Sequence, residues 1–142
     1  DRCEFIGALA SVRGGLEQIR RAELHIDTLR RQLAIMGKIG KKVTLWAVTD
    51  FLRRLLVGVT LPDSAIVVDS DPRRGNHLES DGVQVLEPKN SIEHITNSDL
   101  LVICAPRYKV EIIDWIRQQT GKTFSGSELV VLGTGHSGET LT

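Results

Sequence analysis

The chain has 142 residues, and its 18 basic side chains balance its 18 acidic ones, so the formal net charge is zero. This length suits one domain with a single core, and 41% hydrophobic with 25% charged residues is the balance of a globular protein. The even charge removes the broad attraction that non-specific nucleic-acid binding needs, and no apolar run reaches the length of a membrane span. We therefore expect no nucleic-acid or membrane partner. Because the chain begins at Asp1 and not at Met, we also expect a fragment or a processed product.

The first forty residues carry the pattern of a long amphipathic helix. Apolar residues recur at intervals of three and four, on one helical stripe close to a heptad seam: Phe5, Leu9, Val12, Leu16, Ile19, Ala22, Ile26, Leu29, Leu33 and Met36. Each glycine inside a helix costs about 1 kcal/mol, so we predict a break at Gly14 and Gly15. The longer helix then runs from about 16 to 36 and ends at Gly37 and Gly40. The stripe either packs on its own domain or forms an arm that pairs with a second copy or a neighbouring domain.

From Lys42 onward, predicted strands alternate with short helices. The strands are predicted at 43–48, 65–68, 83–86, 100–105 and 129–132. Thr49 or Asp50 is the predicted cap of the first short helix, Asn90 with Glu93 forms a capping box, and Gly121 stops the last helix. The alternation predicts an α/β, Rossmann-like three-layer domain with a mostly parallel sheet of four to five strands and 100–105 at its centre. We divide the chain into a helical arm (1–40), the α/β domain (41–133) and a flexible tail (134–142).

Candidate binding residues follow the predicted strands, because ligands of open parallel sheets bind beyond the carboxyl ends of the strands. Asp69 ends the second strand, where a dinucleotide-binding fold places the acid that holds ribose hydroxyls; the alternative is a loop aspartate that caps local amides. The guanidinium groups after the strands match phosphate oxygens, or else belong to solvated turns. The predicted ligand-binding set is Asp69, Arg73, Arg74, Arg107, Tyr108 and Lys109.

Other motifs point away from self-contained catalysis. The first turn, 46–51, has no glycine, although a phosphate cradle needs glycine for close backbone approach. A formal G-x-G-x-x-G occurs at Gly133, Gly135 and Gly138, but too few residues follow it to complete a helix. The four histidines show no zinc-ligand spacing, and no Ser–His–Asp or Cys–His arrangement is evident. We expect no catalytic residue and no metal, and we interpret Cys104 as a buried, reduced thiol that indicates a cytoplasmic protein.

Four segments carry a family resemblance: 42–56, the loop V-D-S-D-P-R-R-G at 68–75, V-L-E-P at 85–88, and 99–105 leading to Glu111 and Ile112. Over about 33–133 the chain resembles the C-terminal Rossmann-like domain of S-adenosylmethionine-dependent C-methyltransferases that act on nucleotide-linked sugars. The family carries a glycine in the first turn, where this chain has Ala47 to Asp50. The resemblance implies that the methyl-donor domain, which uses S-adenosylmethionine, lies before Asp1, and that this chain itself holds no cofactor.

Three functions are compatible with these features. The first is an accessory domain that binds or positions a nucleotide-sugar, or another phosphorylated small molecule, within a larger methyltransferase-like enzyme. The second is a non-catalytic interaction or oligomerisation module with a degenerate Rossmann fold. The third is a fragment of an NAD(P)-dependent oxidoreductase, against which the first turn argues.

Overall fold

The computed structural model describes residues 2–75, 78 and 82–132, and for residues 2–12 it describes the backbone alone. The helices are α1 (Arg2–Lys38), α2 (Asp50–Leu56), α3 (Ile92–Thr96) and α4 (Lys109–Thr120). The strands are β1 (Val43–Trp46), β2 (Ala65–Val68), β3 (Val85–Leu86), β4 (Leu100–Ile103) and β5 (Leu129–Val131). Short 3-10 turns follow β2 and β4 at Pro72–Gly75 and Pro106–Tyr108.

The five strands form one parallel sheet in the order β3-β2-β1-β4-β5. Val43 of β1 lies opposite both Ala65 of β2 and Leu100 of β4. This confirms the predicted α/β class with a parallel sheet. The predicted central strand was wrong, because β1 and not β4 occupies the middle. Both strands are buried along their whole length. An apolar sequence pattern therefore does not show which of the two lies at the centre of the sheet.

Alternate residues of each strand enter two separate cores, because successive side chains of a strand point to opposite faces. On one face, Leu45 and Val102 pack with α1 and α2. On the other face, Trp46 and Ile103 pack with α3 and α4. The helices that cover these faces supply Ile26, Leu29, Leu33, Leu52 and Leu55 to the first core and Ile95, Ile112 and Ile116 to the second. The sheet is therefore the middle layer between two layers of helices.

Helix α1 is continuous over 37 residues, so the predicted break at Gly14 and Gly15 was wrong. Glycine adopts helical backbone angles freely, and its cost of about 1 kcal/mol weakens a helix without ending it. Gly40 ends α1, as predicted, whereas Gly37 lies inside the helix, which continues to Lys38. Gly40 takes a left-handed φ of 72°, and Lys41 N donates to Met36 O at 2.9 Å.

The second half of α1 packs on the domain. Ile26, Leu29 and Leu33 are buried in the first core. By contrast, Leu16 and Ile19 on the same sequence stripe are 60% and 57% exposed. The interpretation that the stripe packs on its own domain therefore describes Ile26, Leu29 and Leu33.

Several predicted boundaries need smaller corrections. The first strand stops at Trp46 and the third has two residues, since the chain turns before Val48 and pairs only at Val85 and Leu86. Ser91 and not Asn90 precedes α3, because Asn90 belongs to a 3-10 turn. Thr49 caps α2 and Gly121 ends α4 with a φ of 74°, as predicted. The predicted tail and the glycine motif at 133–138 lie outside the described residues.

Candidate functional site at the carboxyl edge of the sheet

The loops that follow β1, β2 and β4 leave the sheet at the same edge, because all strands run parallel. Neighbouring strands lie about 4.8 Å apart, so the loops after β2 and β4 begin about 10 Å apart with β1 between them. The chain winds outward from β1 to β3 and then returns to place β4 on the other side of β1. This reversal is the position at which open α/β sheets form a ligand crevice.

Asp69 joins the first turn to the loop after β2. The residue is only 2% exposed. Its Oδ2 accepts a hydrogen bond from Val48 N at 2.8 Å, and its Oδ1 accepts one from Asp71 N at 2.8 Å. The local-amide alternative describes this geometry, since both oxygens bind backbone N–H groups of this chain. Asp69 thus ties the turn after β1 to the loop after β2.

The first turn, residues 47–49, is closed by hydrogen bonds to residues outside it. Ala47 has a φ of 82°, in the left-handed region where glycine is the usual residue. The Thr49 hydroxyl donates to Cys104 O at 2.8 Å and accepts from Leu52 N at 3.4 Å. This hydroxyl therefore caps α2 and also ties the turn after β1 to the residue that follows β4.

The loop after β2 is organised by a second aspartate. Asp71 Oδ1 accepts from Arg73 N at 3.2 Å and from Arg73 Nε at 2.9 Å. The hydrogen bond from the Arg73 side chain lowers the pKa of the Asp71 carboxyl group. The Arg73 side chain remains 87% exposed, and its guanidinium group forms an ion pair with the Asp71 carboxylate. Gly75 lets the loop pack on β3, because a Cβ there would lie 2.1 Å from a methyl carbon of Val85.

The other four predicted residues lie on the surface of this edge. Arg74 lies in the turn after β2, and Arg107 and Tyr108 lie in the turn after β4, all exposed. Lys109 begins α4 and is half-buried. Within the part of the chain that the structure describes, the ion pairs include none of Arg74, Arg107 and Lys109. The edge therefore presents cationic groups on both sides of the closed first turn.

Cys104 lies behind this edge and is chemically protected. It is fully buried, and burial raises the pKa of its thiol to about 12. Since the thiolate is the reactive form of cysteine, this residue is structural. Among the residues whose side chains the structure describes, no group of three acidic, histidine or cysteine side chains is arranged to hold a metal.

A groove of about 910 Å³ lies elsewhere on the domain. Its walls come from the α2–β2 connection at 57–63, from β2, and from residues 82–84. None of the six predicted site residues lines it. The groove is therefore separate from the carboxyl edge after β4. No helix among the described residues combines the length and apolar character needed to cross a membrane.

Comparison with family models, with curated proteins and with solved structures finds no match to this chain.

Sequence reasoning located the edge but missed how its first turn is held. The bond from Val48 N to Asp69 joins residues 21 apart in sequence, and the bond from Thr49 to Cys104 spans 55 positions. The left-handed Ala47 carries no sequence signal, because alanine does not favour that conformation. The sequence signal for the Val48–Asp69 contact was the aspartate at the end of β2, for which the capping of local amides was one of the two interpretations.

Proposed function

We propose that this chain is a non-catalytic positioning domain that binds a phosphorylated small molecule, such as a nucleotide-sugar, at the carboxyl edge of its sheet. The parent protein in this proposal is a larger methyltransferase-like enzyme. The proposal assigns no chemical step to this chain. The resemblance to sugar C-methyltransferases assigns the S-adenosylmethionine site to another part of that enzyme.

The carrying observation is the pair of basic turns that flank the crevice position. Arg74 follows β2 and Arg107 follows β4, both exposed, with β1 between the two strands. Guanidinium groups bind phosphate oxygens through paired, charge-assisted hydrogen bonds. Because the first turn is closed, we favour a ligand that contacts the exposed turns after β2 and β4 over a dinucleotide that is buried against the start of α2. It also weakens the oxidoreductase alternative, because Asp69 already binds two backbone amides.

We further propose that the domain is Rossmann-like in the narrower sense. The strand order β3-β2-β1-β4-β5 supports this, since it matches the first five strands of the doubly wound dinucleotide-binding sheet. The left-handed Ala47 supports it as well, because it stands where that fold carries the first glycine of its phosphate turn. A cytoplasmic location is part of the proposal and rests on the free thiol of Cys104.

Isothermal titration calorimetry of the chain with UDP, dTDP and a dTDP-hexose tests the proposal. We expect millimolar or tighter binding, and a loss of about 1–3 kcal/mol of binding free energy for Arg74→Ala or Arg107→Ala, the size of a charged hydrogen bond. Arg31→Ala removes an exposed guanidinium on α1 and serves as the matched control. Absence of binding by the unaltered chain to all three ligands at millimolar concentration would contradict the proposal.

A second candidate function is self-association through α1. It is favoured by one specific observation, the exposure of Leu16 and Ile19 in α1. The stripe continues toward the N-terminus at Phe5, Leu9 and Val12 with the 4-3-4-3 spacing of a two-helix seam. A second copy of this chain is the partner we assign, because two such seams match each other.

A further inference from the structure

Tyr108 differs from the other aromatic residues whose side chains the structure describes. Trp46 and Phe124 are buried in the second core, and Phe51 and Trp115 pack against the two cores. Tyr108 alone in this group is mostly exposed, at 57%. Core packing therefore does not account for the placement of its ring.

The backbone of Tyr108 is held firmly at the carboxyl edge. Tyr108 ends the 3-10 turn that begins at Pro106, and Tyr108 N donates to Ala105 O at 3.0 Å. The ring of Pro106 fixes the backbone φ angle at the start of this turn. Helix α4 begins at Lys109, directly after Tyr108. The Tyr108 side chain thus projects from a short, hydrogen-bonded turn that follows β4 at the carboxyl edge of the sheet.

Two adjacent residues of this turn offer two different chemistries. Arg107 provides a guanidinium group for phosphate, and Tyr108 provides an exposed ring face on which a planar base can stack. Stacking on an aromatic ring tolerates any base, because every base has a π-face. A ligand with both a base and a phosphate group offers a chemical partner to each of these side chains, whereas inorganic pyrophosphate offers one to the arginine alone.

We infer that Tyr108 is a base-stacking residue, so that the ligand class of this edge is a nucleoside diphosphate and not phosphate or pyrophosphate alone. This inference rests on the proposed function, because it assigns the base of the ligand that the arginines hold. It identifies no particular base, since the ring face lacks hydrogen-bond donors and acceptors that would read one.

The test compares UDP and ADP with inorganic pyrophosphate in calorimetric titrations of the whole chain. We expect both nucleotides to bind at least about tenfold more tightly than pyrophosphate, within the range that one stacked base provides. Tyr108→Ala should remove that tenfold advantage and leave pyrophosphate affinity unchanged. Tyr108→Phe should retain it, because the ring face remains.

Val57→Ala serves as the control, since it truncates a similarly exposed apolar residue at the far end of α2. Its nucleotide affinity should equal that of the unaltered chain. If pyrophosphate binds through Arg107 but Tyr108→Ala leaves UDP and ADP affinity unchanged, the stacking inference is overturned and the proposed function stands. If neither pyrophosphate nor the nucleotides bind, the proposed function fails and the inference fails with it.

Discussion

At the scale of single residues, Asp69 is the polar side chain on which the geometry of the carboxyl edge depends most. It is buried, and its two oxygens hold the amides of Val48 and Asp71, one from each adjoining loop. A buried N–H group that loses its acceptor destabilises the folded state, because no hydrogen bond then offsets the cost of removing it from water. The sequence placed Asp69 at the right strand end, but its partners depended on how the chain brings position 48 next to position 69.

Asp69→Asn should lower the free energy of unfolding by about 1–3 kcal/mol, because the amide NH₂ faces one of the two backbone donors and leaves it without an acceptor. Urea denaturation followed by circular dichroism measures the change. Asp63→Asn, at an exposed position of the α2–β2 connection, is the control and should fall within about 0.5 kcal/mol of the unaltered chain. Equal stability of the two variants would show that the Asp69 contacts do not hold the turn.

At the scale of secondary-structure elements, α1 and α2 are joined by Arg30. Its Nε donates to Leu55 O at 3.1 Å, and a second guanidinium nitrogen donates to Arg54 O. These carbonyls belong to the last turn of α2, which has few partners of its own because the helix has seven residues. The guanidinium therefore caps a short helix from a neighbouring element. Asp27 also accepts from Arg30, at 2.9 Å, which orients the side chain.

Arg30→Ala should destabilise the domain by about 1–2 kcal/mol, since it uncaps the C-terminus of α2 and removes partly buried contacts between the helices. Arg31→Ala, one residue further along α1 at an exposed position, provides the comparison and should have little effect. Thermal unfolding of both variants measures the difference. A melting temperature for Arg30→Ala that matches Arg31→Ala would show that α2 does not need this cap.

At the scale of the whole molecule, the domain has two closed cores and one long helix that extends beyond them. A helix of 37 residues is about 55 Å long at about 1.5 Å per residue. Its second half lies against the sheet, while residues 13–21 are exposed on every side. Helices of this kind owe most of their stability to packing of an apolar face, so the exposed segment 13–21 gains most from a partner.

If the second candidate function is correct, the chain sediments as a dimer at high micromolar concentration. The double substitution Leu16→Glu with Ile19→Glu should yield a monomer, because four carboxylates would enter one apolar seam. Leu24→Glu is the matched control, since Leu24 is equally exposed on another face of α1. A monomeric unaltered chain, or dissociation by Leu24→Glu alone, would contradict the assignment of this seam.

The sequence by itself determined the parallel α/β class and the edge that carries the exposed cations. Continuous apolar runs such as 100–105 indicate strands covered on both faces, and the polar residues that follow them mark the carboxyl ends. These features depend on the composition of short segments, which can be read directly from consecutive residues. The tertiary structure decided which strand is central, the continuity of α1 through Gly14 and Gly15, and the closure of the first turn by Asp69 and Thr49. These depend on contacts between residues distant in sequence, or on small energies that packing elsewhere outweighs, and no local pattern encodes either.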